Sequence, residues 1–410
     1  MNVVVLSETA SVSGGKAKIA FDGARAVSAL GHAVHLVCGN GPVSDELTLQ
    51  PNLTIHALGQ NDIASDGNRV RAMVHGWWNP SARRYVGALL DSLNPDDTVV
   101  HVHSWTRALS ASAIRAVIDR RFAIVLTTHD FLIACPTGTF FLQHRRCICR
   151  HKAMSLSCIC SPCDSRSYRH KLWRVGRLAV QRHFGGIPLS IQHFIVPSYS
   201  AADILRPYFP QDAIVHCIPN TIDIDQQPPV DVGSHKEFVF VGRLTAEKGA
   251  ELFAQAAALE VVPCRFVGDG SARAAIARVN PRAHITGWMA HRDGLQALRS
   301  ARALVFPSRW HEVQPLVVLE AAGNGVPSIV SDTCAARELV VDGVTGLHFR
   351  TGDVSDLRDK IRMLKDPEIA TRLGKGAYDA FWVSHKGWRL PLHGRQLEAT
   401  YKSVIATRRS

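Results

Sequence analysis

The feature that most constrains the fold is a strand, glycine turn and helix unit that opens each half of the chain. In the first half, a β-branched run at 2–6 leads into Gly14-Gly15, a predicted helix at 16–30 and a second strand at 33–37. This order is typical of a doubly wound parallel sheet, whose ligands bind at the carboxyl ends of the strands. The same order returns at 238–267. We therefore predict an α/β protein with two such domains.

The first glycine turn does not favour a nicotinamide cofactor. Gly14-Gly15 lacks the G-x-G-x-x-G spacing, and the second strand ends in Cys38-Gly39, where a dinucleotide-binding unit carries an acid for the ribose. We therefore exclude a dehydrogenase. The turn is either an ordinary tight turn or a backbone approach to another ligand.

Composition is consistent with two domains in a water-soluble protein. The 410 residues exceed one typical core, and 46% hydrophobic with 20% charged residues is typical of a globular chain. We find no apolar run long enough to span a bilayer, and Met1–Leu6 reads as a first strand rather than a signal peptide, so we expect a cytoplasmic location. The formal net charge of +12 favours an anionic partner.

Histidines fall at the ends of predicted strands. Strands at 53–58, 98–103, 122–127 and 193–197 alternate with helices at 81–93, 107–120 and 201–208. His101, His103 and His129 lie at strand ends, and we interpret His101 as structural. His129 opens a long irregular segment, so we predict that it faces the cleft.

That irregular segment, residues 130–165, is rich in cysteine. Six of the chain's 10 cysteines lie in it: Cys135, Cys147, Cys149, Cys158, Cys160 and Cys163. The cluster, with His144 and His151 nearby, indicates either a structural zinc site or free buried thiols, because its spacing is not that of a standard zinc ribbon.

The segment from 144 to 183 is strongly basic, with ten Lys and Arg against one acid, Asp164. A helix predicted at 168–183 places Leu172, Trp173 and Val180 among these charges, which suits an anionic membrane surface. In the alternative interpretation these apolar side chains face the core and the arginines form a solvated rim. Both interpretations remain open at this point.

Proline-rich residues 207–229 indicate a hinge between domains. We expect an N-terminal domain at 1–212, a C-terminal domain at 213–386, and a final helix at 387–410 that returns to the first domain. Asp223 and Asp225 form a D-x-D in the hinge, which we assign to turn chemistry.

Two pairs of residues in the second half carry candidate chemistry. Arg243 and Lys248 lie on a glycine-flanked strand-to-helix turn, where a guanidinium fork and an ammonium suit a diphosphate. Glu312 and Glu320 flank the start of an apolar helix between Pro315 and Gly325. A buried Glu320 needs a hydrogen-bonding ligand or a basic neighbour.

The order of the motifs resembles the retaining glycosyltransferases of family 4. The motifs are Phe240-Val241-Gly242-Arg243-Leu244 with Lys248-Gly249, Glu312 with Glu320, Gly325-Val326-Pro327, Ser331-Asp332, Glu338-Leu339-Val340 and Asp342-Gly343-Val344-Thr345-Gly346. Gly14-Gly15, Thr127-Thr128-His129-Asp130 and Ile218-Pro219-Asn220 extend the resemblance over nearly the whole chain. It implies a GT-B fold, in which two Rossmann-like domains face each other across a cleft. The resemblance places the acceptor on the side of the N-terminal domain, 1–212, and the nucleotide sugar on the C-terminal domain, 213–386.

The resemblance also implies roles for the matched residues. Those expected to bind the donor, a nucleotide-diphosphate sugar, are Gly14, Gly15, Gly242, Arg243, Lys248, Gln314, Pro315, Leu316 and Glu320. Arg243 and Lys248 neutralise the diphosphate, and Glu320 accepts hydrogen bonds from the ribose. Glu312 binds hydroxyls of the transferred sugar, and His129 lies near the sugar ring on the acceptor side. The family's chemistry requires no metal.

We find no convincing carboxylate nucleophile in the first half, so we expect a front-face attack in which the leaving diphosphate oxygen takes the acceptor proton. Glu312-Val313-Gln314-Pro315 stands where the family usually has Glu-Gly-Phe-Gly, and Thr333–Arg337 replaces a common Gly-Gly. Contacts that define the donor sugar therefore do not transfer from the family.

The predicted function is transfer of a sugar to a lipid-linked saccharide in cell-surface polysaccharide biosynthesis, by an enzyme peripheral on the inner face of the cell membrane. One alternative is a synthase of the same fold that acts on a soluble acceptor. The other is a zinc-containing nucleic-acid-binding protein, which is disfavoured because few aromatic residues interleave with the basic ones. That reading also leaves Arg243, Lys248, Glu312 and Glu320 without a role, so we expect no nucleic-acid partner.

Overall fold

A computed structural model describes residues 1–11, 14–43, 50–383 and 388–409. The strands of the first half are β1 (Asn2–Thr9), β2 (Ala33–Asn40), β3 (Leu53–Ala57), β4 (Thr98–Val102), β5 (Ala123–Thr127), β6 (Phe141–Leu142), β7 (Cys147–Ile148), β8 (His193–Val196) and β9 (Ile214–Cys217). Those of the second half are β10 (Phe238–Val241), β11 (Cys264–Val267), β12 (His284–Gly287), β13 (Ala303–Phe306), β14 (Ser328–Ser331) and β15 (Gly346–Phe349).

Helices separate most of these strands. Those of the first half are α1 (Gly15–Ala29), α2 (Arg69–Trp77), α3 (Pro80–Asp91), α4 (Ser110–Asp119), α5 (Leu156–Cys160), α6 (Tyr168–His183) and α7 (Tyr199–Leu205). The second half contributes α8 (Ala250–Glu260), α9 (Arg273–Val279), α10 (His291–Arg299), α11 (Leu316–Gly323), α12 (Val354–Met363), α13 (Pro367–Val383) and α14 (Leu390–Arg409).

Two parallel sheets form the cores of two α/β domains. The first has the order β3-β2-β1-β4-β5-β8-β9 and the second the order β12-β11-β10-β13-β14-β15. Val3 to Leu6 of β1 are all essentially inaccessible, as a parallel strand covered by helices on both faces requires. The predicted doubly wound architecture is therefore confirmed, with sites expected where the strands' carboxyl ends face the cleft.

The domain edges differ from those expected at one point. Strand β9 (Ile214–Cys217) pairs with β8 in the first sheet, so the chain leaves this domain after Cys217 rather than after residue 212. The expected edge between residues 386 and 387 lies outside the described residues. Helix α14 returns to the first domain, where Leu397, Tyr401 and Val404 join the core that covers β1 to β3.

The two domains touch through short polar contacts. Ser198 Oγ donates to the Val313 carbonyl oxygen at 2.6 Å, and the Glu338 carboxylate accepts from the backbone N–H groups of Tyr199 and Ser200 at 2.9 and 2.7 Å. Glu338 thus occupies the N-terminal end of α7, where a negative charge is favourable. These contacts hold the strand ends of the two sheets opposite each other. None of the described helices meets the length and apolarity needed to cross a bilayer.

Candidate functional site

Lys248 and Glu312 form the centre of the site on the second domain. Lys248 Nζ lies 2.7 Å from Glu312 Oε1, and the same oxygen accepts from Ser308 Oγ at 2.9 Å and Trp310 Nε1 at 2.6 Å. Glu312 is 8% exposed, so its charge needs these donors. Lys248 Nζ also lies 5.4 Å from the centre of the Trp310 ring. Glu312 Oε2 has no hydrogen-bond partner among the described residues, which leaves it open to a ligand.

Close backbone approaches explain the glycines around Lys248. Gly249 has φ +71°, and a Cβ atom there would lie 2.0 Å from the Pro307 carbonyl oxygen. Gly268 has φ +138°, and a Cβ atom there would lie 2.0 Å from the Gly242 carbonyl oxygen. Only glycine fits such positions. The turns after β10, β11 and β13 therefore pack backbone against backbone at one edge of the sheet.

Arg243 lies in the same turn and is exposed. Its guanidinium makes no ion pair or hydrogen bond with any residue of the described chain. Unlike Lys248, it is therefore free to bind an anion that enters the cleft.

Glu320, inside α11, is 8% exposed and has a basic neighbour, as its burial requires. His291 Nε2, at the start of α10, lies 2.9 Å from Glu320 Oε1. The hydrogen bond with Glu320 raises the pKa of His291, against the effect of burial. A ligand hydroxyl at Glu320 would share this carboxylate with His291.

The residues around the start of α11 contact the hinge and the first domain. Gln314 Oε1 accepts from the Asn220 backbone N–H in the hinge, so this oxygen is occupied by a protein group. Pro315 has extended dihedral angles and immediately precedes the helix, which begins at Leu316. A Cβ atom on Gly15 would lie 3.4 Å from Leu316 Cδ1, so the glycine turn of the first domain lies against the start of α11. Gly14, with φ +130°, precedes α1.

His129 lies on the first domain, just after β5, and lines a cavity together with Lys16 and Asp130. Its Nε2 is 2.9 Å from His103 Nδ1. Burial lowers the pKa of His129 well below its usual value, and the neighbouring His103 adds to this. His129 is therefore a neutral imidazole near neutral pH.

Two carboxylates lie beside that cavity, and both are occupied by protein groups. Asp130 pairs with Lys16 and accepts from the Leu132 backbone N–H at 2.8 Å. Glu8 accepts from Thr106 Oγ1 at 3.0 Å and from the Arg107 backbone N–H. Burial raises the pKa of Glu8. Neither group is presented as a free nucleophile.

The arrangement of the cysteine cluster does not support the zinc alternative. Among the described residues, which include all six clustered cysteines, no three His, Cys, Asp or Glu side chains are arranged to hold a metal ion. Cys135, Cys149, Cys158 and Cys163 line a cavity that also holds the fully buried Lys171. Lys171 Nζ lies 3.0 Å from Cys163 Sγ and 3.7 Å from Cys158 Sγ. All six are free thiols.

Helix α6 has the predicted bounds and an unexpected buried face. Lys171, Arg177, Leu178 and Gln181 are buried, whereas Leu172 is 44% exposed and Trp173 and Val180 are partly exposed. The polar side chains are tolerated inside because each has a partner. The Arg177 guanidinium donates to the Thr106 carbonyl oxygen, and Gln181 Oε1 accepts from Trp105 Nε1.

Sequence reasoning missed Trp310 and His291, which contact the two glutamates. Trp310 lies two residues before Glu312, and an indole so close to a buried acid was an available signal. His291 had no such signal, because 29 residues separate it from Glu320.

Family comparisons match both halves of the chain. Residues 222–380 match glycosyl transferases group 1, and residues 13–226, more than half of the chain, match glycosyltransferase family 4. The chain belongs to glycosyltransferase family 4. The family-4 match covers the glycine turn and His129, and the group 1 match covers Arg243, Lys248, Glu312 and Glu320.

Individual curated relatives match part of the chain. The α-D-kanosaminyltransferase of Streptomyces kanamyceticus is 32% identical over 40% of this chain and 45% of its own length. The glycogen synthase of Mycobacterium tuberculosis is 28% identical over 67% of this chain and 70% of its own length. The chain thus spans under half the length of the first of these relatives.

Solved structures of glycosyltransferases share the fold over nearly the full chain. Sucrose-phosphate synthase from Thermosynechococcus elongatus has a TM-score of 0.72 at 17% identity, covering 99% of this chain and 100% of its own. Anabaena HepE in complex with UDP and glucose has a TM-score of 0.68 at 16% identity, covering 98% and 100%. These likenesses establish the GT-B fold of two facing Rossmann-like domains.

Proposed function

We propose that this family-4 enzyme transfers a sugar, with retention of anomeric configuration, from a nucleotide-diphosphate sugar to a lipid-linked saccharide. The main support for a nucleotide-sugar donor is the arrangement of Lys248 and Glu312 at the strand ends of the second sheet. The glycine turn of the first domain lies opposite, against Leu316. The site thus offers an ammonium, a carboxylate with one oxygen free of hydrogen bonds, and a turn lined by backbone atoms. Together they suit a ligand that carries both phosphate and hydroxyl groups.

In this proposal each side chain has a separate task. Arg243 and Lys248 bind the diphosphate and stabilise the charge that develops as the nucleotide leaves. Glu312 Oε2 accepts from hydroxyls of the transferred sugar, and Glu320 accepts from the ribose. Gly14 and Gly15 line the opposite wall of the cleft, and His129 contacts the sugar ring from the acceptor side.

We infer a front-face mechanism from the state of the carboxylates on the first domain. A double displacement needs a carboxylate that is free to attack the anomeric carbon. Asp130 is paired with Lys16, and Glu8 is bonded to Thr106 and Arg107. The acceptor oxygen therefore attacks from the side of the leaving group, and the departing diphosphate oxygen takes its proton.

A transfer assay tests the enzymatic proposal. A panel of nucleotide sugars is offered with lipid-linked and soluble saccharides, and the product's anomeric proton is read by NMR. We expect one donor to be used and its anomeric configuration to be retained. An inverted product, or a trapped sugar adduct on any carboxylate, would refute the mechanism.

For the acceptor, we propose docking on an anionic membrane through α2 and the basic segment 144–183. Val70, Met73, Val74 and Trp77 of α2 are 72, 54, 55 and 38% exposed. Their spacing of three and four residues gives a single apolar stripe. Helix α6 lies beside it, with Trp77 Nε1 donating to the Trp173 carbonyl oxygen at 3.2 Å.

Charge on the same two helices favours an anionic lipid as the occupant. The exposed Arg69, Arg166 and Arg169 lie on or beside these helices, and Tyr168 and Leu172 extend the apolar area. Apolar side chains flanked by arginines are typical of helices that lie in a headgroup region. In this account the enzyme is peripheral on the inner face of the cell membrane.

Liposome sedimentation tests the docking proposal. Changing both Val70 and Met73 to Asp should release the protein from vesicles containing anionic lipid, whereas Leu259→Asp, on the exposed face of α8, should not. Equal binding of both variants would contradict it. Full activity of the released variant on a soluble saccharide would instead favour the synthase alternative, to which the glycogen synthase match lends weight.

A further inference from the structure

A buried chain of hydrogen bonds connects the C-terminal helix to His129. The Tyr401 hydroxyl of α14 lies 2.6 Å from His101 Nδ1, and His101 Nε2 lies 2.6 Å from Thr127 Oγ1. His103 Nε2 lies 3.2 Å from the same His101 Nδ1, and His103 Nδ1 lies 2.9 Å from His129 Nε2. The chain thus joins a helix at the far end of the sequence to the wall of the cleft.

Every member of this chain is neutral near neutral pH. Tyr401, His101 and His103 are 1, 1 and 4% exposed. Burial lowers the pKa of His103 to about 3 and that of His101 well below its usual value, and it raises the pKa of Tyr401. A neutral imidazole has one N–H donor and one acceptor nitrogen, so each bond in the chain fixes the next.

Tyr401 sets the direction of the chain. The only hydrogen-bond partner of its hydroxyl in the described structure is His101 Nδ1. If that nitrogen carried a hydrogen, the phenolic hydrogen would be buried without an acceptor, at a cost of about 1–3 kcal/mol. The Tyr401 hydroxyl therefore donates, and His101 carries its hydrogen on Nε2 and donates to Thr127 Oγ1.

The tautomers of the next two histidines follow. His101 Nδ1 is approached by two groups, the Tyr401 hydroxyl at 2.6 Å and His103 Nε2 at 3.2 Å. His103 Nε2 carries a hydrogen, because without one its lone pair would face the unprotonated His101 Nδ1. His103 Nδ1 is then an acceptor, and His129 donates to it from Nε2. The acceptor nitrogen that remains at the end of the chain is His129 Nδ1, which has no hydrogen-bond partner among the described residues.

We propose that Tyr401, His101 and His103 are positioning residues that fix His129 with an unprotonated Nδ1, ready to accept a hydrogen bond from a hydroxyl of the bound sugar. This inference rests on the proposed function, because it gives His129 a sugar as its ligand. The other tautomer would present an N–H group to a hydroxyl and would reverse the direction of that hydrogen bond. The C-terminal helix, through Tyr401, thereby determines what His129 can recognise.

The test combines Tyr401→Phe with a tautomer measurement. Long-range ¹⁵N–¹H NMR on histidine-labelled protein distinguishes the two tautomers, and the signal of His129 among the 20 histidines is assigned by its loss in His129→Asn. We expect wild-type His129 to be protonated on Nε2 and Tyr401→Phe to give a mixture. We expect kcat to fall about fivefold, the effect of one weakened neutral hydrogen bond, with KM for the donor nearly unchanged.

Val404→Ala is the matched control, because Val404 is 2% exposed on the same helix and packs in the same core. The Val404→Ala variant should have a lower melting temperature than the wild type, with the His129 tautomer and kcat unchanged. An Nδ1-protonated His129 in the wild type, or an unchanged tautomer in Tyr401→Phe, would overturn the proposal. Absence of any sugar transfer by the wild type would instead refute the proposed function, since the NMR result does not depend on activity.

Discussion

The walls of the cleft are built in two different ways. On the second domain, Glu312 takes two of its three donors, Ser308 and Trp310, from the four residues before it. On the first domain, His129 is hydrogen-bonded to His103, and His103 is connected through His101 to Tyr401, which follows His101 by 300 residues. Site residues that are close in sequence form a recognisable motif, whereas site residues that only the fold brings together do not.

The largest effect on activity is expected when the Lys248 ammonium is removed from Glu312. Lys248→Met leaves Glu312 buried without its cation and removes a diphosphate contact, so kcat/KM for the donor should fall about 10³-fold. Steady-state kinetics measure this loss. Lys375→Met, which removes an exposed lysine of α13, is the control and should retain wild-type kinetics. A loss under tenfold in Lys248→Met would argue against the assigned site.

Trp310→Phe removes one of the two donors that lie close to Glu312 in the sequence, and it keeps an aromatic ring at that position. The variant loses the 2.6 Å bond from Nε1 to Glu312 Oε1. A hydrogen bond to a charged group contributes about 1.5–3 kcal/mol, so we expect kcat/KM to fall at least about tenfold. Wild-type kinetics would indicate that Lys248 and Ser308 alone hold Glu312.

Features of this fold that rest on local sequence patterns could be predicted, and features that rest on contacts between distant segments could not. The alternation of strands and helices, the bounds of α6, the turn that carries Lys248 and the apolar helix that carries Glu320 were predictable, because each rests on a local pattern. Strand β9 and helices α2 and α13 were missed. The buried Lys171 and Arg177 were missed too, since their burial depends on cysteine thiols and a backbone carbonyl that only the fold brings near.

The cysteine cluster allows a matched pair of changes on the first domain. Cys158 is buried beside Lys171, whereas Cys160, two residues later, is exposed. Cys158→Ser should lower the unfolding free energy by about 1–2 kcal/mol, because a hydroxyl is costlier to bury than a thiol, and activity should persist. Cys160→Ser should change neither. Denaturant titration measures both, and equal stabilities would show that the cluster adds nothing to the fold.

The smallest effect concerns the His291–Glu320 pair. Because Glu320 raises the pKa of His291, the protonated pair stabilises the fold below the unfolded-state pKa of histidine, and this stabilisation is lost as the pH rises through the higher folded-state pKa. The His291 side chain is 53% exposed, so solvent screening keeps the contribution under about 1 kcal/mol. His291→Ala should therefore destabilise the protein more at pH 6 than at pH 8.5. A pH-independent difference in denaturant titrations would contradict this assignment.

We propose above that Lys248, in the turn after β10, binds the diphosphate of the donor. Calorimetric titration with nucleoside diphosphates and the matching monophosphates tests it most directly. We predict that the wild type binds its diphosphate at least about tenfold more tightly than the monophosphate, and that Lys248→Met loses most of this preference while Lys375→Met keeps it. An undiminished preference in Lys248→Met would contradict the account.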